Sequence, residues 1–289
     1  MSGSAGGDAR LAPDAIRPIC GQRAGKLPWR VQGHPHAAAD LTLEAPRARV
    51  RGEPNYPGVL KVDCTLFSNW IGVNPGKILQ TCTEPIYEED IKSLQDGTWL
   101  NDGAINWYMN LLCLARPKTH YFSSFTYQKI LDELNSEKGL DDYKIFIRYA
   151  KGVILSEYNL VFFPIHKPRH WCLAVAYPQD HRLAYYDPRR GKDKQCLQLL
   201  KEFLQARGKA IQNDCDLNAE WTEQFIGPNT SPQRIPQQTD SHSCGLFACA
   251  LADVLSACSP DCSWPESWGY SQKEMKMFRR LVRCLFEAY

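Results

Sequence analysis

No stretch of this 289-residue chain comes near the roughly 18–20 consecutive apolar residues that a membrane-spanning helix requires. Nor does the N-terminus show a charged segment followed by an apolar one, so a secretory leader is not expected. The formal net charge is only +2, too small for an overall field that would draw the chain to nucleic acid or an anionic membrane. There is no CxxC pair, and Cys258 and Cys262 have no histidine near them, which makes a poor zinc site. No internal repeat is apparent. What remains is a chain with 44% hydrophobic and 11% aromatic residues, enough for one sizeable globular core.

The twelve cysteines are scattered, and several fall inside apolar periodic segments. Cys113, Cys172, Cys249 and Cys284 read as small core hydrophobes. Reduced thiols in a nuclear or cytosolic protein are therefore the expectation.

Residues 1–75 differ from the rest. They are rich in Gly, Ala, Pro and Arg, hold no persistent period, and carry 9 Lys/Arg against 6 Asp/Glu, where residues 76–289 carry 25 against 26. Such a segment buries too little apolar surface to offset its ordering entropy, so it reads as a disordered or loosely docked extension. From residue 76 the pattern tightens into one domain. Trp99-Leu100-Asn101-Asp102 precedes a helix with Ile105, Tyr108, Met109 and Leu112 on one face, and Asn101 or Asp102 can cap it. A second helix carries Tyr127, Ile130, Leu131 and Leu134. Three strands follow at Leu160–Ile165, Trp171–Tyr177 and Arg182–Tyr186. Gly191 opens a helix with Cys196, Leu199, Leu200 and Phe203. A polar loop, Gly227–Gln237, leads to a helix beginning near Cys244. The last helix opens on Ser271-Gln272-Lys273-Glu274, a capping box. Strands clustered between helices predict an α+β fold, a central mixed sheet flanked by helices.

Four residues could do chemistry together. Cys244, in Ser243-Cys244-Gly245, stands at a helix start, where unpaired amides favour a thiolate. Gly245 leaves room for a substrate carbonyl. His170 sits at a strand edge where a neighbour can orient it, and Asp187 ends the next strand, close enough to accept from the imidazole. His166, His242, Asp180 and Asp193 are weaker candidates for these two roles. Gln238, six residues before Cys244, could donate to an oxyanion together with the Cys244 amide. Trp99 and Trp171 could wall a slot narrow enough to pass a Gly-Gly segment, although large aromatics more often anchor cores.

Taken together these residues resemble the ubiquitin-like-protein-specific (SUMO- or sentrin-specific) cysteine protease family. The similarity rests on Trp99 to Asp102, Pro164-Ile165-His166, His170 to Ala174, Tyr185-Tyr186-Asp187, and Pro236-Gln237-Gln238 through Cys244-Gly245 and Phe247-Ala248-Cys249. It runs over about residues 77–289. It implies a papain-like arrangement, with Cys244 as nucleophile, His170 as base, Asp187 orienting it and Gln238 at the oxyanion hole. It also implies that Trp99 and Trp171 line a tunnel for the Gly-Gly tail, and that Asp102 touches the body of the modifier. The expected partner is a SUMO-like modifier and its conjugates. A monomer, no metal, no organic cofactor and an intracellular site of action in nucleus or cytoplasm go with it. Two departures stand out: Ser243 where the family often has Asp, and Pro188-Arg189-Arg190 where many members have Ser after the catalytic Asp. Other readings are a protease for the modifier NEDD8, a catalytically silent modifier-binding protein, and an acyltransferase, for which no cofactor site is found.

Overall fold

The computed structural model describes residues 81–82, 84–134, 152–227, 235–257 and 268–288. The expected extension over residues 1–75 lies outside the described residues, as do Cys258 and Cys262 and part of the expected 227–237 loop.

A five-stranded sheet forms the middle of the fold, in the order β1 (Thr119–Tyr121), β2 (Leu160–Lys167), β3 (His170–Tyr177), β4 (Arg182–Tyr186) and β5 (Thr222–Ile226). The three central strands are antiparallel neighbours, and each edge strand pairs parallel to its neighbour. The α+β expectation holds, and the sheet is mixed. It is also larger than the pattern predicted. β1 is three residues long and β5 (Thr-Glu-Gln-Phe-Ile) is half-exposed, so neither carries the apolar alternation that reveals a strand.

Both faces of the sheet are covered, which is why β2 and β3 read as nearly unbroken apolar runs. Side chains alternate between two cores. Phe162, Leu173, Val175, Ala184 and Tyr186 face α2 (Asp102–Ala115), α5 (Cys244–Ala257) and α6 (Gln272–Ala288). Val161, Phe163, Ile165, Cys172, Ala174, Leu183 and Tyr185 face α3 (Phe125–Leu134) and α4 (Lys194–Ala210). Helix α4 starts three residues later than Gly191, because Asp193 caps it by accepting from the Cys196 amide. A short helix, α1 (Glu88–Ser93), precedes Trp99.

Two buried cations tie loops to this frame. Arg207 of α4 pairs with Asp214 at 2.6 Å, both fully buried, and also donates to the Val153 carbonyl. Arg279 of α6 donates to the carbonyls of Ser93, Gln95 and Thr98 at 3.1, 3.0 and 2.8 Å. That second knot fixes the turn which delivers Trp99 to the cleft.

Candidate active site

The β2–β3 hairpin closes through Pro168-Arg169, with Lys167 paired to His170 and Arg169 at a left-handed φ of 57°. A two-residue turn with Pro first and positive φ second is a tight way to begin a strand, and it places His170 at the very end of β3. His170 and Cys172 share a face of that strand. Leu173 pairs with Tyr186 across the β3–β4 ladder, so Asp187, one residue past β4, lies level with Cys172. The carboxylate therefore meets the imidazole: His170 Nε2 to Asp187 Oδ1 is 2.7 Å. The same Oδ1 accepts from the Arg189 amide at 2.7 Å. The Gly191 backbone comes so close to Oδ2 that an added Cβ would overlap it.

With Nε2 engaged, the nitrogen left for Cys244 is Nδ1, which is buried without a hydrogen-bond partner among the described residues. Cys244 is the first residue of α5 and only 1% exposed. Burial by itself would drive the His170 proton off. Burial is the largest single influence, but the bond to Asp187 and the interactions with Cys172 and Cys244 together outweigh it, raising His170 to about 11. Asp187 is pushed up by burial but ends below the usual carboxylate range, because His170 and the Arg189 amide favour its charge. At neutral pH the pair is imidazolium and carboxylate.

His170, Cys172 and Asp187 each offer a ligand atom within 4.8 Å of the others, so a metal ion is geometrically conceivable there. Their chemistry fits it poorly. A metal needs the Cys172 thiolate, and burial raises that thiol, while the histidine and carboxylate already share a proton at 2.7 Å. Cys172 is a core thiol behind the histidine, as are Cys113 and Cys249 elsewhere; Cys284 is half-buried.

The remaining predicted residues fall around this centre. Gln238 lies in the loop before α5. Its backbone N–H donates to the Pro188 carbonyl, and its Nε2 to Asp240 Oδ1 at 2.9 Å. Trp99 is 43% exposed and donates its indole N–H to the Ser241 carbonyl at 2.7 Å. Arg189 Nη2 reaches the same carbonyl at 3.0 Å. Trp171 is 2% exposed, stacks flat on His166 at 4.2 Å, and donates to the Leu100 carbonyl at 2.8 Å. The Trp171 indole thus holds the Trp99–Leu100 segment from one side, while the Trp99 indole ties that segment to the loop at Ser241. Asp102 accepts from Ser124 Oγ at 2.7 Å and lies 3.3 Å from His166 Nδ1, while the α2 cap is Asn101. One sequence expectation changes. A Cβ on Gly245 would sit 3.1 Å from both Leu100 Cβ and Ile105 Cδ1, so this glycine lets α5 approach the Trp99–Leu100 segment rather than making room for a carbonyl.

Sequence reasoning passed over Asp240, which collects the side chain of Gln238 and the amides of His242 and Ser243. An Asp followed at two and three residues by amides it can accept from is an Asx-turn pattern, and that signal was available.

The comparisons with known proteins agree with this geometry. The sequence model of the Ulp1 protease family, C-terminal catalytic domain, matches residues 98–285. Sentrin-specific protease 2 of Mus musculus is 34% identical over 221 residues, covering 74% of this chain and 34% of that protein. Ubiquitin-like-specific protease ESD4 of Arabidopsis thaliana is 29% identical over 252 residues, covering 81% and 47%. The chain thus spans about a third to a half of the length of these relatives. Among solved structures, the C-terminal Ulp1 protease domain in complex with Smt3, the yeast ortholog of SUMO, superposes with a TM-score of 0.55 at 22% identity. It covers 73% of this chain and 90% of that one. The SUMO protease Ulp1 with its catalytic cysteine oxidised to a sulfinic acid gives a TM-score of 0.57 at 21% identity, with 73% and 88% covered. At that identity these two speak to the fold alone.

Proposed function

Since the chain belongs to the Ulp1 protease family, we propose that it is a thiol protease that cleaves after the C-terminal Gly-Gly of a SUMO-like modifier, both maturing precursors and releasing conjugates from lysine. The observation that carries this is His170, held by Asp187 at 2.7 Å through Nε2 with its buried Nδ1 left over, together with Cys244 at the start of α5.

The Cys244 sulfur attacks the scissile carbonyl carbon as the thiolate, its proton already held by His170, forming a tetrahedral intermediate. Gln238 Nε2 and the Cys244 backbone N–H donate to its oxygen. His170, protonated at neutral pH, passes its Nδ1 proton to the leaving amine as the C–N bond breaks. Water, deprotonated by the now neutral His170, then resolves the thioester and returns the free sulfur. No metal or organic cofactor enters these steps. Trp99 and Trp171 flank the approach, and their bonds to the Ser241 and Leu100 carbonyls support a narrow groove that suits residues without side chains. Asp102, a quarter exposed beside His166, is the proposed contact with the modifier's globular part.

The partner is a SUMO-like modifier rather than NEDD8, in line with the names of the relatives. Among the described residues no helix is long and apolar enough to cross a membrane, and the described cysteines are free thiols, which supports a reducing compartment, nuclear or cytoplasmic. The test incubates the protein with SUMO and NEDD8 precursors and follows their shortening. Wild type is expected to shorten SUMO, Cys244→Ala to shorten neither while still binding SUMO. Turnover by Cys244→Ala, or a vinyl-sulfone SUMO probe that leaves Cys244 unlabelled, would end the reading.

A further inference from the structure

The six residues before Cys244 fold around one carboxylate. Asp240 Oδ1 accepts from Gln238 Nε2 at 2.9 Å and from the backbone N–H groups of His242 and Ser243 at 3.2 and 3.0 Å. Its Oδ2 accepts from Ser243 Oγ at 2.5 Å and Gln272 Nε2 at 2.8 Å, and lies 3.3 Å from His242 Nε2. Burial opposes the charge, but this ring of donors holds the carboxyl at about 2, so it is ionised and accepts only.

That has a consequence for Gln238. The two ends of a primary amide are the same size, and hydrogen-bond partners alone tell them apart. A carboxylate has no proton to give, so Gln238 must turn its nitrogen, not its oxygen, towards Asp240. Nε2 carries two protons. One is taken by Asp240, and the second is left for a carbonyl oxygen at Cys244. Reversed, the amide would put an oxygen lone pair where negative charge develops. The same carboxylate fixes the 242 and 243 amides, and with them the turn that sets the direction of the Cys244 N–H.

We propose that Asp240 is a positioning residue for the oxyanion hole: it selects the end of the Gln238 amide that faces the reacting carbonyl and locks the turn that presents the Cys244 N–H. This rests on the protease reading above and adds a determinant outside the triad. A turn that merely stabilises the loop would look similar in the ground state, so the test must separate the two.

Steady-state cleavage of a SUMO precursor gives kcat and KM for each variant. Losing an oxyanion donor outright lowers kcat by about 10²–10³, so losing its orientation in Asp240→Ala is expected to lower kcat about 10–100-fold with KM within about twofold. Asp240→Asn keeps an Oδ1 for the same three donors and lets Ser243 reverse its bond, while Gln272, whose Oε1 already accepts from the Thr239 amide, loses only its bond at the other end of the side chain, so it is expected within about threefold of wild type. In a Gln238→Ala background, Asp240→Ala should lower kcat far less than it does in wild type, since there is no amide left to orient. Should Asp240→Ala fail to fold, Asp240→Ser serves. Its hydroxyl can still accept from the turn amides but its shorter arm does not reach Gln238, and the same kcat loss is expected. Full additivity with Gln238→Ala, an Asn variant as poor as Ala, or a loss confined to KM would overturn the proposal. Cys244→Ala separates the two levels. If it turns over, the protease reading fails; if it is dead while Asp240→Ala runs at the wild-type rate, this inference alone fails.

Discussion

Replacing Asp187 by Asn removes a charge while keeping a shape. The amide oxygen can still accept from His170 Nε2 and the Arg189 amide, and the nitrogen fits where Oδ2 lies under Gly191. What is lost is the largest of the interactions that together overcome burial and lift His170 from 6.5 to about 11. Without it burial, the largest influence, is opposed only by Cys172 and Cys244, and the imidazole falls back towards 6.5. A group titrating at 6.5 is protonated in only about 3% of molecules at pH 8, so the variant should run there up to about 30-fold below its own acid-side maximum. Wild type, with the proton held to about 11, should stay level through pH 9. The assay is kcat/KM for precursor cleavage from pH 5 to 9.5. Stability offers a second reading. His170, raised on folding, contributes stability that is complete below about 6.5 and disappears as pH climbs through about 11. Asp187, lowered on folding, contributes stability that is complete above 3.8 and disappears as acid titrates it. The gap in thermal midpoint between wild type and Asp187→Asn should therefore be widest at about pH 4–6.5 and close towards alkaline pH. A variant profile parallel to wild type, lower by one factor at every pH, would refute the electrostatic role and leave Asp187 only a geometric one.

Three further outcomes follow from the frame. Asp214→Ala strands the fully buried Arg207 charge and should cost about 3–5 kcal/mol in denaturant unfolding, with much of it regained when Arg207→Met is added. Arg279→Leu leaves the Ser93, Gln95 and Thr98 carbonyls without their cation; a loss of about 2–4 kcal/mol and slower precursor cleavage are expected, because the turn carrying Trp99 loosens. Gly245→Ala gains about 1 kcal/mol of helix propensity but forces a Cβ to 3.1 Å from Leu100 and Ile105, an overpacking cost of about 1–3 kcal/mol, so the thermal midpoint should fall.

The central helices and strands were legible because their apolar residues recur with a clear period and both sheet faces are buried. The meeting of His170 with Asp187 was legible for a related reason: a two-residue hairpin and a short antiparallel ladder leave few ways to arrange them. Edge strands were not. β1 is too short to show a period, and β5 exposes Thr222 and Glu223, so neither has the pattern that burial writes into a sequence. Gly245 was misjudged because a glycine announces a close approach without saying by what. Trp171 illustrates the same limit: its type suggested a groove wall, while its bond to the Leu100 carbonyl depends on a segment 71 residues away.

The two places where the chain departs from its family's spelling meet in space. Ser243 stands where the family often has Asp, yet its hydroxyl lies 2.5 Å from Asp240, so the negative charge is present in the loop, three residues upstream. Arg189, from the other departure, reaches across to the Ser241 carbonyl, which Trp99 also grips. Gln238 closes the circuit through its backbone bond to Pro188. The loop is therefore held from three sides: by Asp240 from within, by Trp99, and by the segment that carries Asp187. A carbonyl accepting from both an indole and a guanidinium is held more firmly than either bond alone would hold it, because the loop cannot shift without breaking both. On this view the departures are coupled parts of one local solution. A change at Arg189 alone should then reach Cys244 through the Ser241 carbonyl, with no contact of its own to the sulfur.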